Sequence, residues 1–288
     1  MDSPAGARIR YVIAVVIYGT IGMILRYISF PSELVVLCRG VVGSGFIACF
    51  LLLRKQSPDT AAIKANIRPL VLSGICLGLN WVFLFAAYRQ TTVAIASLCN
   101  YMAPIIVLFL SPLLLHEALS GKKLICILAA FGGIVLVSGV LTETGSGLNL
   151  PGIALGLAAA LGFVGIILCN KKLRDISSYD RAMVQLAVSA LTVLPYVLIA
   201  DRGLTLTPDL RSVLLTVMLG VVHTGFAYCL YFGSMGQLPV QTVSILGYIE
   251  PVVSVLCSAL ILGEQLTAAG WLGAVLILCA ALASELMP

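Results

Sequence analysis

Long apolar runs that alternate with short polar connections constrain the fold of this chain more than any other feature. Each run is about 20 residues long, which is the length that an α-helix needs to cross the hydrocarbon core of a bilayer. Backbone N–H and C=O groups inside a bilayer must be paired within the protein, so only helices and closed barrels span it. Because these runs are continuous rather than alternating, they predict helices.

The composition agrees with a membrane protein. Hydrophobic residues make up 60% of the 288 residues and charged residues 10%, and the mean hydropathy is +1.10. Soluble domains carry about 25% charged residues, and a soluble fold of this length has too little interior to bury so much apolar surface. A lipid bilayer removes that requirement, so the sequence predicts an all-α polytopic membrane protein in contact with lipid.

We place ten transmembrane helices along the chain. The first apolar run is long enough to span the membrane and no small-residue cleavage site follows it, so we expect it to remain as the first span. The predicted spans cover residues 11–30, 32–53, 68–88, 92–115, 123–141, 152–170, 182–200, 212–234, 240–262 and 268–286.

The basic residues indicate how these spans are oriented. A net charge of +5 would also suit nucleic-acid binding, but the basic residues are spread over the connections rather than gathered in one patch, so we expect no nucleic-acid partner. With the N-terminus in the cytoplasm, the cytoplasmic segments and adjoining span ends hold Arg8, Arg10, Arg54, Lys55, Lys64, Arg68, Lys122, Lys123, Lys171, Lys172, Arg174 and Arg181. The outer segments hold only Arg89, Arg202 and Arg211. This positive-inside bias predicts that both termini are cytoplasmic.

The chain contains an internal repeat. When it is shifted against itself by 147 residues, segment 92–120 lies over segment 239–267 without a gap. The matched pairs include Ser97 with Ser244, Tyr101 with Tyr248, Pro104 with Pro251, Ser111 with Ser258 and Glu117 with Glu264. The repeat predicts two five-helix halves, residues 1–142 and 152–288, joined by a Gly-rich linker loop over residues 143–151. An odd number of spans in each half makes these inverted repeats, an arrangement common among secondary transporters.

A short motif recurs late in each half. The first copy has Tyr-Met-Ala-Pro at residues 101–104 and Leu-His-Glu-Ala-Leu at 115–119, and the second has Tyr-Ile-Glu-Pro at 248–251 and Leu-Gly-Glu-Gln-Leu at 262–266. With these motifs, and with Arg39 early in the second span, the chain resembles the EamA-type transporters of the drug/metabolite transporter superfamily over nearly its whole length. It departs from the family pattern at His116, where the family usually has glycine.

The resemblance implies a ten-helix fold with a central cavity between two halves and alternating access to that cavity. It implies a small-molecule substrate, often an exported metabolite or amino acid, and charges of both signs near the proposed cavity favour a zwitterion. Protons are a candidate coupling ion, and a passive facilitator is the alternative. Together with the compact loops, the resemblance also predicts the bacterial inner membrane as the location. We expect no cofactor and a monomer or weak homo-oligomer.

Glu250, which lies within the ninth span beside Pro251, is the first candidate for the site. A carboxylate at membrane depth is costly unless it is neutralised or paired, so such residues tend to be functional. Pro251 removes one intrahelical hydrogen bond and frees the carbonyl of Gly247. Glu250 can couple proton movement to transport or bind a cationic ammonium; the alternative is a structural carboxyl that hydrogen-bonds within the bundle.

Further candidate substrate-binding residues lie on faces that would line the cavity, because polar stripes on a span face a cavity rather than lipid. They are Gln241, Ser244 and Tyr248 on the ninth span, Ser97, Asn100 and Tyr101 on the fourth, Asn80 and Trp81 on the third, Tyr18 on the first, and His223 and Tyr228 on the eighth. Aromatic rings can hold apolar or cationic ligands. The structural alternatives are packing for the aromatic rings and interhelical hydrogen bonds for Asn100 and His223.

Two arginines within spans are candidates for gating. Arg26 can bind a substrate carboxylate, but we favour the interpretation that it reaches the outer interface, one turn away. Arg39 lies about two turns into the second span and should need an acidic or carbonyl partner, for which Glu33 is a candidate. We therefore expect Arg39 to form a structural or gating pair.

The remaining polar motif residues are interpreted as structural. Glu117 and Glu264 lie at helix ends, where we expect them to satisfy free N–H groups in tight turns. Ser120 and Thr267, three residues later in each half, are predicted N-caps of the following helices.

Small residues are interpreted as packing positions. The spacing of Gly74 and Gly78 predicts a close helix contact, as does that of Gly152 and Gly156. The nine cysteines all fall in apolar segments without metal-ligand spacing, so we expect packing residues rather than disulfides or a metal site.

Enzymatic motifs are absent from the sequence. It contains no H-E-x-x-H, no G-x-S-x-G and no pair of membrane aspartates, so we expect no catalytic residue and no enzyme activity. A non-transporting membrane receptor or scaffold is a further alternative, but it explains the inverted repeat and the proline-broken polar helices less well.

Overall fold

The computed structural model describes residues 4–114, 121–137, 150–200, 209–235, 237–238 and 240–286. All regular secondary structure in these segments is helical, as the continuous apolar runs predict. The helices of the first half are α1 (Pro4–Gly19), α2 (Ile21–Leu25), α3 (Ser32–Leu53), α4 (Thr60–Ala65), α5 (Ile67–Gln90), α6 (Val93–Asn100), α7 (Ala103–Leu114) and α8 (Gly121–Val137).

The second half has a similar series, with one π-helical turn inside it. Its helices are α9 (Leu150–Asn170), α10 (Ser178–Ala200), α11 (Leu210–Gly220), the π-helical segment Val221–Phe226, α12 (Ala227–Met235), α13 (Val240–Gly247), α14 (Ile249–Leu260) and α15 (Ala268–Leu286). The predicted linker loop lies almost entirely outside the described residues, as do the ends of the predicted fourth and fifth spans.

Length and hydropathy identify this chain as an integral, polytopic membrane protein. The helices that are long and apolar enough to cross a membrane are Ala5–Leu25, Ser32–Leu53, Ile67–Gln90, Leu150–Asn170, Ser178–Ile199 and Leu210–Ser234. Shorter apolar helices, Val93–Val107, Leu124–Leu136, Ile249–Leu260 and Ala268–Ala283, occupy the other four predicted spans. The count of ten crossings therefore stays a prediction.

The predicted fourth and ninth spans are each broken into two helices rather than continuous. α6 ends at Asn100, four residues before Pro104, and α13 ends at Gly247, four residues before Pro251. Proline has no N–H to donate to the residue four positions earlier, and its ring clashes with that carbonyl. Each break therefore falls at the residue whose hydrogen bond the proline removes, and it brings a tyrosine, Tyr101 or Tyr248, into the turn.

Other boundaries also differ from the prediction. The short helix α4 was not predicted; Asp59 caps it by accepting hydrogen bonds from the N–H groups of Ala61 and Ala62, each at 3.0 Å. α10 begins four residues earlier than predicted, at Ser178, because the Ser177 hydroxyl accepts a hydrogen bond from the Asp180 N–H at 3.1 Å. Such side-chain acceptors stabilise the first turn of a helix.

Helix contacts cross between the two halves throughout the protein. α5 packs on α9 and α10, α3 on α10 and α11, α1 on α12 and α14, α6 on α9 and α14, and α8 on α15. The predicted close contact at Gly74 and Gly78 is confirmed, because a Cβ at Gly74 would lie 2.6 Å from Val188 Cβ and one at Gly78 would lie 3.0 Å from the Ser189 carbonyl oxygen. Gly156 meets Cys99 in the same way, at 2.7 Å.

The outer surface of the bundle carries large apolar side chains. Leu53 and Leu260, for example, are 85% and 79% exposed, which suits contact with lipid tails rather than water. All nine cysteines are among the described residues and are free thiols.

Candidate functional site

A cavity of about 400 Å³ lies among helices of both halves. Eight of the residues predicted for the site line it: Tyr18, Arg39, Asn80, Trp81, Asn100, Tyr101, Tyr228 and Glu250. The lining comes from α1, α2, α3, α5, α6, α9, α10, α12 and α14 and from the break between α6 and α7. A volume of this size is typical of small-molecule sites.

Arg39 is the most deeply buried charge in the cavity wall, with 2% of its surface exposed. Its Nε donates to the Thr224 hydroxyl at 3.0 Å, and its guanidinium lies 4.1 Å from the centre of the Trp81 ring and 5.2 Å from that of Phe85. Within the described residues, its partners are therefore a hydroxyl and two aromatic rings and not the expected acid or carbonyl. Glu33 is six residues earlier on α3, about 120° around the helix axis, so the two side chains point in different directions.

The π-helical segment positions the partner of Arg39. The Thr224 hydroxyl donates to the Leu219 carbonyl oxygen at 3.0 Å, a five-residue separation that fits the wider π turn. Gly43 on α3 allows this approach, because a Cβ there would lie 2.4 Å from the Thr224 methyl group. Single π turns within α-helices are frequent at functional sites.

Glu250 lies in the first turn of α14, just after the break in the ninth span. Tyr101, in the break between α6 and α7, lines the same cavity as Glu250. Tyr101 and Tyr248, the two tyrosines matched by the internal repeat, pack together with their ring centres 6.5 Å apart. The two broken spans thus meet at one end of the cavity wall.

Asn80 and Asn100 form a polar link between three helices. The Asn80 amide donates to the Asn100 side-chain oxygen at 2.9 Å and to the Ala159 carbonyl oxygen at 2.8 Å. Gly162 brings α9 against α5 at this point, since a Cβ there would lie 3.0 Å from Asn80. Both asparagines therefore line the cavity and also hold it together.

Aromatic rings form much of the wall on the α1 and α12 side. The Tyr18 ring lies 5.8 Å from that of Tyr228 and 5.9 Å from that of Tyr231. Phe232 packs edge-on against Tyr228 and Tyr231 at 5.5 and 5.2 Å. Such a wall can hold an apolar or cationic group of a ligand.

Four predicted residues are not among those that line this cavity: Arg26, Ser97, His223 and Tyr248. Ser97 shares hydrogen bonds with the Tyr88 hydroxyl at 3.1 Å and the Ser254 hydroxyl at 2.6 Å. His223 Nε2 lies 3.0 Å from the Thr20 hydroxyl, which matches the alternative of a hydrogen-bonded bundle histidine. The side chains of Gln241 and Ser244 lie outside the described residues.

Arg26 is exposed and is not among the residues that line the cavity, and its position at the outer interface stays a prediction. It forms an ion pair with Glu264 and donates to the Thr91 carbonyl oxygen at 2.7 Å. Glu264 also accepts hydrogen bonds from the Val93 N–H at 2.8 Å and the Ser258 hydroxyl at 2.6 Å. The expectation that Glu264 satisfies a free helical N–H is therefore confirmed, but the helix is α6 of the opposite half.

The predicted N-cap at Thr267 is also confirmed, because its hydroxyl accepts from the Gly270 N–H at 3.0 Å. The corresponding residues of the first half, Glu117 and Ser120, lie outside the described residues, as does His116.

Sequence reasoning missed three polar residues of the cavity wall: Asn170, Arg181 and Gln185. Gln185 donates to the Ser73 hydroxyl at 2.6 Å and to the Asn170 side-chain oxygen at 2.7 Å. Arg181 was assigned to a cytoplasmic connection, but α10 begins before it and its guanidinium lies 5.2 Å from the centre of the Phe232 ring. The four-residue spacing of Arg181 and Gln185 was the available signal for one polar helix face.

The comparisons with known proteins agree with this architecture. The model of the EamA-like transporter family matches the chain twice, over residues 9–139 and 150–284. An uncharacterised transporter of Bacillus subtilis, YxxF, is 28% identical over 94% of this chain and 86% of its own length. A probable amino-acid metabolite efflux pump of Salmonella typhimurium is 31% identical over 81% and 79%, and one of Escherichia coli is 30% identical over 73% and 76%.

A solved crystal structure has the same fold. It superposes with a TM-score of 0.65 and covers 99% of both chains at 20% identity.

Proposed function

The chain belongs to the EamA-like transporter family, and from this premise we propose that it is a secondary transporter that exports amino acids or related small metabolites. The substrate binds in the central cavity, and the protein exposes that cavity to each side of the membrane in turn. Two relatives carry names that describe amino-acid metabolite efflux. Because both align with this chain over most of their length, we take the substrate class of the proposal from them.

We propose the ten-span topology for this cycle, with two inverted halves at residues 1–142 and 152–288. The helix contacts support it. If each of spans one to five is replaced by its counterpart among spans six to ten, and the reverse, a contact between two helices becomes another contact that is also present. The contact of α5 with α9 corresponds to that of α12 with α1, and the contacts of α6 and α7 with α9 correspond to those of α13 and α14 with α1. The family model, which matches each half separately, supports the same division.

Hydrogen bonds between connections support the predicted alternation of sides. Groups on opposite sides of a bilayer are about 30 Å apart and cannot bond to each other. On the proposed outer side, Arg26 pairs with Glu264 and the Ser29 N–H donates to the Ser212 hydroxyl. On the proposed cytoplasmic side, the Asn66 side chain exchanges two hydrogen bonds with the backbone of Arg174, at 2.8 and 3.0 Å.

The location follows from the same orientation. We propose the bacterial inner membrane with both termini in the cytoplasm, since the basic residues concentrate on the cytoplasmic connections. Matches among the relatives include proteins from Bacillus subtilis and Escherichia coli.

One observation carries the proposal: charged and hydrogen-bonding side chains from both halves converge on one cavity at membrane depth. Arg39 and Asn80 come from the first half, and Arg181 and Glu250 from the second. Polar groups inside a membrane are expensive to maintain, and they concentrate where a polar solute passes. A site between repeats that can rock against each other is the arrangement that alternating access requires.

Glu250 is the proposed proton-coupling residue. It is the acidic residue of the cavity lining, and Tyr101 lies beside it on the other broken span. A proton bound there changes the charge at the meeting point of the two halves. Substrate and proton can therefore influence each other's binding through one carboxyl group.

Flux measurements on Glu250→Gln test this proposal. We expect purified wild-type protein in proteoliposomes to accumulate amino acids when a pH gradient is imposed. Glu250→Gln should abolish this accumulation but leave downhill flux, and Glu33→Gln, which alters an acid outside the cavity, should behave as the wild type. Wild-type flux that only equilibrates would indicate a passive facilitator. Specific ligand binding without flux would indicate a receptor or scaffold instead.

A further inference from the structure

Two buried polar atoms in the cavity-lining residues have no hydrogen-bond partner among the described residues: Nη1 of Arg39 and the hydroxyl oxygen of Tyr18. Both residues line the cavity, one from α3 and the other from α1. Buried donors are nearly always paired, because an unpaired one forfeits the hydrogen bond that it would make in water. Two such groups in residues that line one cavity point to a ligand that supplies their acceptor when the side chains turn towards it.

The Arg39 guanidinium is fixed by contacts that leave Nη1 free. Its Nε is bonded to Thr224, and its plane lies against Trp81 and Phe85. Among the described residues, no carboxylate lies within ion-pair distance of Arg39. The cavity therefore contains a positive charge that none of the described carboxylates pairs directly.

Tyr18 is fixed in a similar way. Its ring packs against Tyr228 and Tyr231, while its hydroxyl group makes no hydrogen bond with the part of the chain that the structure describes. A phenol hydroxyl and a guanidinium from the wall of one cavity form a pair of donors suited to one anionic oxygen group. Hydrogen bonds from such donors to a carboxylate are among the stronger ones in proteins.

We propose that Arg39 and Tyr18 form a subsite that binds the carboxylate group of the transported molecule. The inference rests on the proposed transport function and makes it more specific, because it requires a carboxylate on every ligand of this cavity. The aromatic wall of Tyr18, Tyr228, Tyr231 and Phe232 then contacts the side chain of the ligand. Arg39 thus has a binding role rather than the structural or gating role that the sequence predicted.

Matched probes can separate the two ends of such a ligand. Phenylalanine carries both charged groups, 3-phenylpropanoate only the carboxylate, and 2-phenylethylamine only the amine. Two further sets vary the side chain: leucine with 4-methylpentanoate and 3-methylbutylamine, and alanine with propanoate and ethylamine. Binding to detergent-purified protein is measured by isothermal calorimetry and by thermal shift, since a ligand of the folded state raises its stability. We expect at least one set in which the amino acid and the acid bind and the amine binds more than tenfold more weakly.

Tyr18→Phe is the sharpest variant, because it removes a hydroxyl group that has no partner within the described segments. We expect its unfolding temperature to equal that of the wild type while its affinity for the carboxylate probes falls by about tenfold or more. Arg39→Lys should weaken the same probes, because lysine keeps the charge but loses the flat, fixed donor geometry.

Tyr11→Phe is the matched control on the same helix. The Tyr11 hydroxyl donates to the Val243 carbonyl oxygen at 3.1 Å, away from the cavity lining. We expect this variant to lower the unfolding temperature and to leave probe affinity unchanged. The opposite behaviour of the two tyrosines would distinguish a binding role from a structural one.

Two results with the wild type would overturn the subsite: no carboxylate probe stabilises it, or the amines bind as tightly as the acids. A third is that Tyr18→Phe and Arg39→Lys bind the acids as tightly as the wild type does. These results are separable from a failure of transport. Carboxylate binding that Tyr18→Phe weakens, without flux in proteoliposomes, would keep the subsite and reject the transporter. Flux of amines alone would keep the transporter and reject the subsite.

Discussion

Replacing Glu264 with alanine removes the acceptor on which three parts of the chain converge. The Glu264 carboxylate binds Arg26 at the end of α2, the Val93 N–H at the start of α6, and Ser258 in α14. It thus joins the first span, the fourth span and the connection after the ninth span. Its loss should loosen the contact between the halves on the side of the bundle that holds this cluster.

The size of the effect follows from the burial of the donors. Val93 and Ser258 are fully buried, and a buried donor left without its acceptor costs about 1–3 kcal/mol. The Arg26 side chain is 30% exposed, so its ion pair adds no more than about 1 kcal/mol. Because these contacts share one carboxylate and do not add independently, we expect Glu264→Ala to lower the free energy of unfolding by about 3 kcal/mol.

Reversible unfolding in mixed detergent micelles, followed by the loss of helical circular dichroism, measures this difference. Glu264→Gln keeps one acceptor oxygen and should lose about half as much, while Glu33→Gln, which alters a half-buried acid in the first turn of α3, should change the stability by less than about 1 kcal/mol. A Glu264→Ala variant as stable as the Glu33→Gln control would refute the convergence argument.

Two further predictions test the packing and the electrostatics of the helix ends. Gly74→Val should lower the free energy of unfolding by about 1–3 kcal/mol in the same assay, because the new valine would overlap Val188 across the contact of α5 with α10. Gly132 faces open space on α8, so the control Gly132→Ala should leave the stability unchanged or slightly higher. Hydrogen bonds from the Ser212 N–H and hydroxyl lower the pKa of the exposed Asp209. The stability that Asp209 contributes is therefore present above the unfolded-state pKa of about 3.9, and it is lost as the pH falls through the folded-state pKa. As the pH falls from about 6 to 3, the unfolding temperature of Asp209→Asn should therefore drop less steeply than that of the wild type. Identical profiles for the two proteins would contradict this assignment.

The helical architecture could be predicted from the sequence because it depends on local properties. Twenty-residue apolar runs define helices in a bilayer whatever their neighbours are. The breaks at Pro104 and Pro251 also have a local cause, but the predicted spans ran through both, because hydropathy does not change at a proline. The cap at Asp59 and the π turn at Val221–Phe226 carry little hydropathy signal, and neither was predicted.

The cavity could be predicted only in part, since its lining depends on how helices face each other. The repeat and the polar stripes identified Asn100, Tyr101 and Glu250, which do line it. Partners in other segments were not predictable: nothing in the local sequence relates Arg39 to Thr224, which is 185 residues away. Arg181 was missed because it lies in the first turn of a span, where a basic residue usually marks a cytoplasmic end.

Counterflow in proteoliposomes is the measurement that tests the central claim most directly. Vesicles that contain the protein are loaded with unlabelled amino acids and diluted into labelled ones. A carrier that alternates between two sides predicts a transient accumulation of label above equilibrium. Ile166→Trp, which places a large ring in the cavity wall, should abolish it, whereas Leu161→Trp on the exposed face of the same helix should not. The absence of any overshoot in the wild type, or an overshoot that Ile166→Trp leaves intact, would contradict transport through this cavity.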